Sequence, residues 1–252
     1  MEDQKVLEEK DKKYLWHPFT QMREWVQESP LIIQSGKGNY LIDLQGGKYL
    51  DGVSSLWVNL HGHGKKAIDR AIRRQLQKVG HSTLLGLSNV PSILLAEKLI
   101  DWTHRGKMNR LTRVFYSDNG STAVEVALKM AFQYWQQQDP ENARKKLFIT
   151  LQNAYHGDTV GAVSLSGMDL FHNVYSPLLF SSLKAPSPYC YRCPLGKTYP
   201  QCDVACAEEV ETLLKNNRGR IAAVVLEPGM QAAAGMISLP PGYLGKIRKL
   251  CD

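Results

Sequence analysis

The 252-residue sequence lacks any long apolar run; stretches such as Ile221 to Leu226 fall well short of the roughly 20 residues that span a bilayer. Its N-terminus, Glu2 to Lys13, is a charged run without the apolar core of a signal peptide. These absences point away from a membrane partner and toward a soluble, cytoplasmic protein. Cysteine is scarce, five in all, which does not suit a small disulfide scaffold. Also missing is a basic stripe with interleaved aromatics. The 31 Lys and Arg against 24 Asp and Glu leave a formal charge of +7, yet they fall as scattered pairs such as Lys65-Lys66 and Arg73-Arg74. A nucleic-acid track gathers its charge on one face, so no nucleic-acid partner is expected. No repeat or low-complexity tract appears.

What is present is the patterning of a globular chain long enough to bury most of its apolar surface. Three short β-like runs, residues 31–34, 39–43 and 48–51, are separated by Gly36-Lys37-Gly38 and Gln45-Gly46-Gly47, the signature of hairpins or a meander. From Lys65 the period becomes helical, with Ile68, Ala71, Ile72, Leu76 and Val79 on one stripe. A second helix is expected from about Pro91. Residues 113–116 read as a buried strand, 122–137 as a helix, 147–151 as a strand, 158–165 as a helix, 221–226 as a strand and 242–250 as a helix. Strands alternating with helices predict an α/β layer with a mostly parallel sheet. A final helix directly after a buried strand would normally feed another strand, so the chain is expected to be the N-terminal part of a longer one.

Three segments can carry chemistry. In Asp118-Asn119-Gly120-Ser121-Thr122 a turn opens a helix, whose free N–H groups and positive dipole end suit a phosphate; Gly120 permits close approach and the hydroxyls can donate. The alternative is a plain helix cap, with Thr122 and Glu125 at capping-box spacing. In Tyr155-His156-Gly157-Asp158 the ring of Tyr155 can stack on a flat heterocycle, or it is a packed loop aromatic beside a helix-capping Asp158. Leu226-Glu227-Pro228 places an acid at a third strand end. Ligands of open parallel sheets lie beside such ends, so the three can face one crevice.

Together, residues 118–127, Tyr155-His156-Gly157-Asp158-Thr159 and Leu226-Glu227-Pro228 resemble the successive signatures of class III, fold-type I pyridoxal-phosphate aminotransferases. The opening Leu15-Trp16-His17-Pro18-Phe19-Thr20 and Asp51-Gly52-Val53-Ser54-Ser55-Leu56-Trp57 are similar to members that aminate 8-amino-7-oxononanoate in biotin synthesis. The resemblance implies a fold-type I α/β architecture, with a mostly parallel sheet and helices on both faces. Residues 1–64 would form an arm and small-domain portion, and residues 65–252 the first part of a large cofactor domain. It implies pyridoxal 5'-phosphate as cofactor, Gly120 and Ser121 on the phosphate, Tyr155 over the ring and facing substrate, and Glu227 beside both. Phe19, Leu56 and Trp57 would line the substrate pocket, and the enzyme would be a homodimer. The family's Schiff-base lysine has no counterpart before Asp252, so no catalytic residue is assigned and residues 1–252 alone are expected to be inactive.

Two departures bear on the amino donor. Many family members have Tyr where Phe19 stands and Trp where Leu56 stands, and losing the phenol and the flat ring puts S-adenosylmethionine in doubt and favours lysine. The alternatives are another class III ω-aminotransferase, or a truncated, non-catalytic binder of the cofactor. Cys190, Cys193, Cys202 and Cys206 form a C-x2-C and a C-x3-C pair that can suit zinc or an iron–sulfur group. Because the family chemistry needs no metal, the expectation is reduced thiols and no metal; His61 and His63 are likewise not read as ligands.

Overall fold

The computed structural model describes residues 3–105, 111–168 and 173–252, which divide into two compact units, Met1–Leu111 and Thr112–Asp252. In the first, helix α1 (Gln4–Tyr14) starts at Asp3, whose carboxylate accepts the Lys5 amide. Asp11 ties α1 to the segment after it, accepting from Trp25 Nε1 at 2.7 Å and pairing with His17 Nε2 at 3.0 Å; helix α2 (Met22–Trp25) is a single turn.

An antiparallel meander follows, β1 (Ile33–Lys37), β2 (Tyr40–Asp43) and β3 (Lys48–Leu50), paired in that order. Its second turn is built on Asp43, which accepts the amides of Gln45 and Gly47 and the Tyr49 hydroxyl at 2.7–2.9 Å. Helices α3 (Lys66–Leu76) and α4 (Val90–Arg105) complete the unit.

The second unit opens with α5 (Gly120–Gln136) and continues through β4 (Leu147–Leu151), α6 (Val160–Leu165), β5 (Leu183–Ala185), α7 (Cys206–Asn216) and β6 (Ile221–Val224). A two-residue hairpin, β7 (Met230–Gln231) with β8 (Ile237–Ser238), and helix α8 (Tyr243–Cys251) follow. The sheet order is β5-β4-β6, all parallel. Period-two alternation sends neighbouring β4 residues to opposite faces. Ile149 and Leu151, fully buried, pack with Val210 of α7 and with Tyr243 and Ile247 of α8, whereas Phe148 packs with Leu128 of α5 and Leu165 of α6. Helices thus cover both faces, as fold-type I expects. Trp135 of α5 fixes its helix to the sheet by donating from Nε1 to the Ala222 carbonyl at 2.7 Å.

The expected strand at 113–116 does not form. Both edges of β4 are taken by β5 and β6, the segment joins no ladder, and Phe115 is exposed. Strand β5 and helix α7 were not foreseen: three residues are too few for a period, and the α7 stripe follows directly on the cysteine-rich loop. Among the described residues no helix is long and apolar enough to cross a membrane.

The burial pattern makes a stability prediction. Leu151→Ala should cost about 2–5 kcal/mol by removing side-chain volume from a filled core. Leu94→Ala, at a half-exposed position, should stay within about 0.5 kcal/mol. Denaturant unfolding measures both, and equal costs would contradict the two-faced burial of β4.

Candidate active site

Helix α5 begins at Gly120, two residues earlier than the sequence suggested, so the cap is Asn119 rather than Thr122. The Asn119 side chain accepts the Thr122 amide at 3.0 Å, and Thr122 Oγ1 accepts the Asn119 amide at 3.3 Å. Thr122 Oγ1 also donates to Asp118 at 2.7 Å. The amides of Gly120 and Ser121, the first of the helix, make no hydrogen bond among the described residues. A Cβ built on Gly120 would meet nothing within 4 Å. Two free N–H donors at the positive end of a 17-residue helix, with open space before them, suit an anion.

Glu125, released from capping, reaches α6 and accepts the Gly161 amide at 2.7 Å. A side chain at Gly161 would strike that carboxylate, which explains the glycine.

The β4–α6 loop closes on the same helix start. Ser121 Oγ accepts the Asp158 amide at 3.2 Å. Gly157, at φ +126°, lies so close to Ser121 that any Cβ would collide with its hydroxyl. Asp158 does not cap α6: its carboxylate accepts the Tyr155 hydroxyl at 2.8 Å, and α6 starts after Thr159 without a side-chain cap. Burial, then the hydrogen bond to Asp158, pushes the Tyr155 phenol up to about 12, so it remains a donor at neutral pH.

Glu227, just beyond β6, accepts the Tyr155 amide at 3.1 Å with one carboxylate oxygen and the Ala232 amide at 3.2 Å with the other. The structure therefore brings Gly120, Ser121, Tyr155 and Glu227 together. The sequence reading missed Asn119, Gly157 and the Glu125–Gly161 contact; the closely placed Gly157 and Gly161 were the signal.

His156 points the other way, inward. Its Nε2 lies 3.2 Å from Thr150 Oγ1 on β4, and burial, then the Lys184 charge, lowers its pKa to about 4.

Phe19, Leu56 and Trp57 belong to the first unit, all exposed there. Residues 54–57 run through four consecutive positive φ values, 47–72°, a left-handed turn made without glycine. Such backbone is costly for L-residues and persists only when clamped. Asp51 is the clamp: it accepts the Ser55 amide at 2.7 Å and the Ser55 hydroxyl at 2.8 Å, and pairs with His63 Nε2 at 2.8 Å. The Ser55 amide and hydroxyl, with His63, hold its carboxyl below the usual range. The clamp presents Leu56 and Trp57 outward.

The four loop cysteines are all reduced and line one cavity, but among the described residues no three His, Cys, Asp or Glu side chains stand as a ready ligand set.

A family model described as aminotransferase class III matches residues 21–252. The chain belongs to the class III aminotransferases. An adenosylmethionine-8-amino-7-oxononanoate aminotransferase of Nitratidesulfovibrio vulgaris is 54% identical over 242 residues, 96% of this chain and 44% of that protein. The crystal structure of an enzyme of the same name from Methanocaldococcus jannaschii superposes with a TM-score of 0.87 at 46% identity, covering 99% of this chain and 52% of that one. The omega transaminase of Pseudomonas jessenii in complex with PMP superposes at 0.86 with 32% identity, covering 97% and 53%. The chain thus spans about half the length of the relatives it matches, and it has the fold-type I architecture of this class III family.

His156 supplies a pH test. A histidine whose pKa falls from 6.5 unfolded to about 4 folded takes up its proton first in the unfolded chain. Its contribution is intact above about pH 6.5 and is lost as pH falls toward 4, a change on the order of 3 kcal/mol. The stability–pH curve of a His156→Gln variant should be flatter across that window. A curve parallel to wild type would contradict the burial of a neutral imidazole.

Proposed function

We propose that the protein is a pyridoxal-phosphate-dependent aminotransferase that converts 8-amino-7-oxononanoate to 7,8-diaminononanoate. The observation that carries this reading is the continuous hydrogen-bonded path from Ser121 to Asp158, Tyr155 and Glu227 beside two free helix amides. The substrate rests on the name borne by the 54%-identical relative.

The residues fit the cofactor. Gly120 leaves room before the helix, and the Gly120 and Ser121 amides with the Ser121 hydroxyl offer donors for a phosphate. The Tyr155 ring, tied at its hydroxyl and its amide, provides a fixed flat face for a heterocycle. When bound, pyridoxal phosphate supplies the carbonyl that takes up the amino group and the ring that delocalises electrons from the neighbouring carbon.

The chain's own work is positional. Glu227 holds the Tyr155 backbone, and Asp158 keeps the phenol oriented and protonated. Phe19, Leu56 and Trp57 would form an apolar wall for the aliphatic keto acid. The domain division at residue 64, a cytoplasmic location and a homodimer belong to the same proposal. Exposed Trp16, Leu60 and Leu85 are apolar surface that a second copy would cover.

Phe19 offers no hydroxyl and Leu56 no flat ring, which favours lysine as donor over S-adenosylmethionine. A second reading, an ω-aminotransferase for other terminal amines, is favoured by the likeness to the P. jessenii enzyme.

Amino transfer by the full-length protein decides among these. The proposal expects turnover of 8-amino-7-oxononanoate, faster with lysine than with S-adenosylmethionine. Turnover of other ω-amines without this keto acid would replace it by the second reading. In the same protein Ser121→Ala should weaken pyridoxal phosphate binding roughly tenfold, the loss of about 1.4 kcal/mol. Unchanged affinity would remove Ser121 from the phosphate site.

A further inference from the structure

The turn of residues 54–57 is the most strained backbone in the first unit, and packing within that unit does not account for it. Among the described residues, left-handed φ at other non-glycine positions comes singly, as at Asn153, or as the pair Asp203 and Val204; here it runs through four residues in succession. Such strain persists only where the surroundings over-determine it. Burial does not do so here, because Leu56, Trp57 and Val58 are 69%, 62% and 74% exposed.

The anchors of the turn all run through Asp51, whose side chain is only 5% exposed. Its amide donates to the Asn39 carbonyl at 2.8 Å, which ties it to the β1–β2 hairpin. Its carboxylate holds the Ser55 amide and hydroxyl, and one of its oxygens also faces His63 Nε2 at 2.8 Å.

His63 is itself fixed by the same hairpin. Its backbone exchanges two hydrogen bonds with Gly38, at 2.7 and 3.0 Å. Its ring lies so close to Gly36 of β1 that a Cβ there would stand 2.6 Å from Cγ of the imidazole. Gly36 has no left-handed φ that would call for glycine, so the imidazole is the reason for it. An unbroken line of contacts therefore runs from β1 through His63 and Asp51 to Ser55.

What this line displays is a short apolar surface. A wall already fixed in orientation receives an aliphatic chain without having to be ordered on binding, which favours affinity. We propose that Asp51, held by His63, is a positioning residue for the keto acid: it sets the 54–57 turn so that Leu56 and Trp57 meet the aliphatic chain of the substrate as one rigid face. This rests on the reading of Leu56 and Trp57 as the substrate wall. Asp51 does not touch the substrate and exchanges no proton with it; it acts through Ser55.

Steady-state amino transfer by the full-length protein tests the assignment. Asp51→Ala should raise KM for 8-amino-7-oxononanoate about tenfold while kcat and pyridoxal phosphate affinity stay within about twofold, since only the ordering of the wall is lost. Asp51→Asn should recover most of that affinity, because its amide oxygen can accept the Ser55 amide and its amide nitrogen can donate to Ser55 Oγ and to a neutral His63 ring. Gly36→Ala, whose methyl meets the imidazole, should move KM in the same direction as Asp51→Ala. Unchanged KM in Asp51→Ala or a loss confined to kcat would overturn the proposal, as would Asp51→Asn as impaired as Asp51→Ala or Gly36→Ala with the wild-type KM. Where Asp51→Ala does not fold, Gly36→Ala decides. Trp57→Ala tests the wall separately: KM unmoved there removes the wall and the proposal with it, whereas KM raised there but not in Asp51→Ala overturns the positioning role alone. Wild-type protein that accepts other ω-amines but not this keto acid removes the substrate reading instead, and KM for the accepted amine in Asp51→Ala then decides the role of Asp51.

Discussion

Strand β4 is buried on both faces, and the second unit is organised around that constraint. With parallel neighbours on each edge, it must be apolar at every position or satisfy what polarity it keeps. Phe148, Ile149 and Leu151 meet the first condition, and Thr150, fully buried, meets the second through His156. Because each face is covered by its own helices, the point at which the chain leaves β4 is fixed. The loop that starts there, Gln152 to Thr159, is therefore delivered to one place, beside the start of α5 and the end of β6.

The site that results is rigid by hydrogen bonding rather than by packing alone. Ser121, Asp158, Tyr155 and Glu227 belong to three separate chain segments, and each contact between segments uses a backbone amide on one side. Side-chain acceptors on amides fix the backbone itself, so Tyr155 is held in position and orientation. Glycines 157 and 161 stand where no Cβ fits, so that the segments can approach this closely. The two α5 amides left without partners are what a preorganised anion site requires: donors aimed at open space by a helix that is capped elsewhere. In the first unit the same economy appears at Asp51, where one carboxylate clamps a strained turn that displays Leu56 and Trp57.

Much of this was legible in the sequence, for reasons that can be stated. Leu147 to Leu151 is a short run, apolar but for Thr150, between polar segments, and the Ile68 to Leu76 stripe has the helical period, so both elements were readable. Gly120, Ser121, Tyr155 and Glu227 stand out in the sequence because each follows a turn or strand end, and the structure links Ser121, Tyr155 and Glu227 along one hydrogen-bonded path. The capping assignment went wrong because Thr122–Glu125 and Asn119–Thr122 share a spacing; the choice depends on Glu125 being claimed by Gly161, a contact 36 residues away. The strand expected at 113–116 is apolar enough, but a strand needs a neighbouring edge, which no local pattern reports. The left-handed turns at 54–57 and 203–204 carry no glycine and so gave no signal.

The central claim is that Gly120, Ser121, Tyr155 and Glu227 make one cofactor site. A crystal structure of the full-length protein with pyridoxal phosphate tests it most directly. The account predicts the phosphate on the Gly120 and Ser121 amides, with the ring against Tyr155 and Glu227 still bonded to the Tyr155 amide. A phosphate bound elsewhere, with the α5 amides facing solvent, would contradict it.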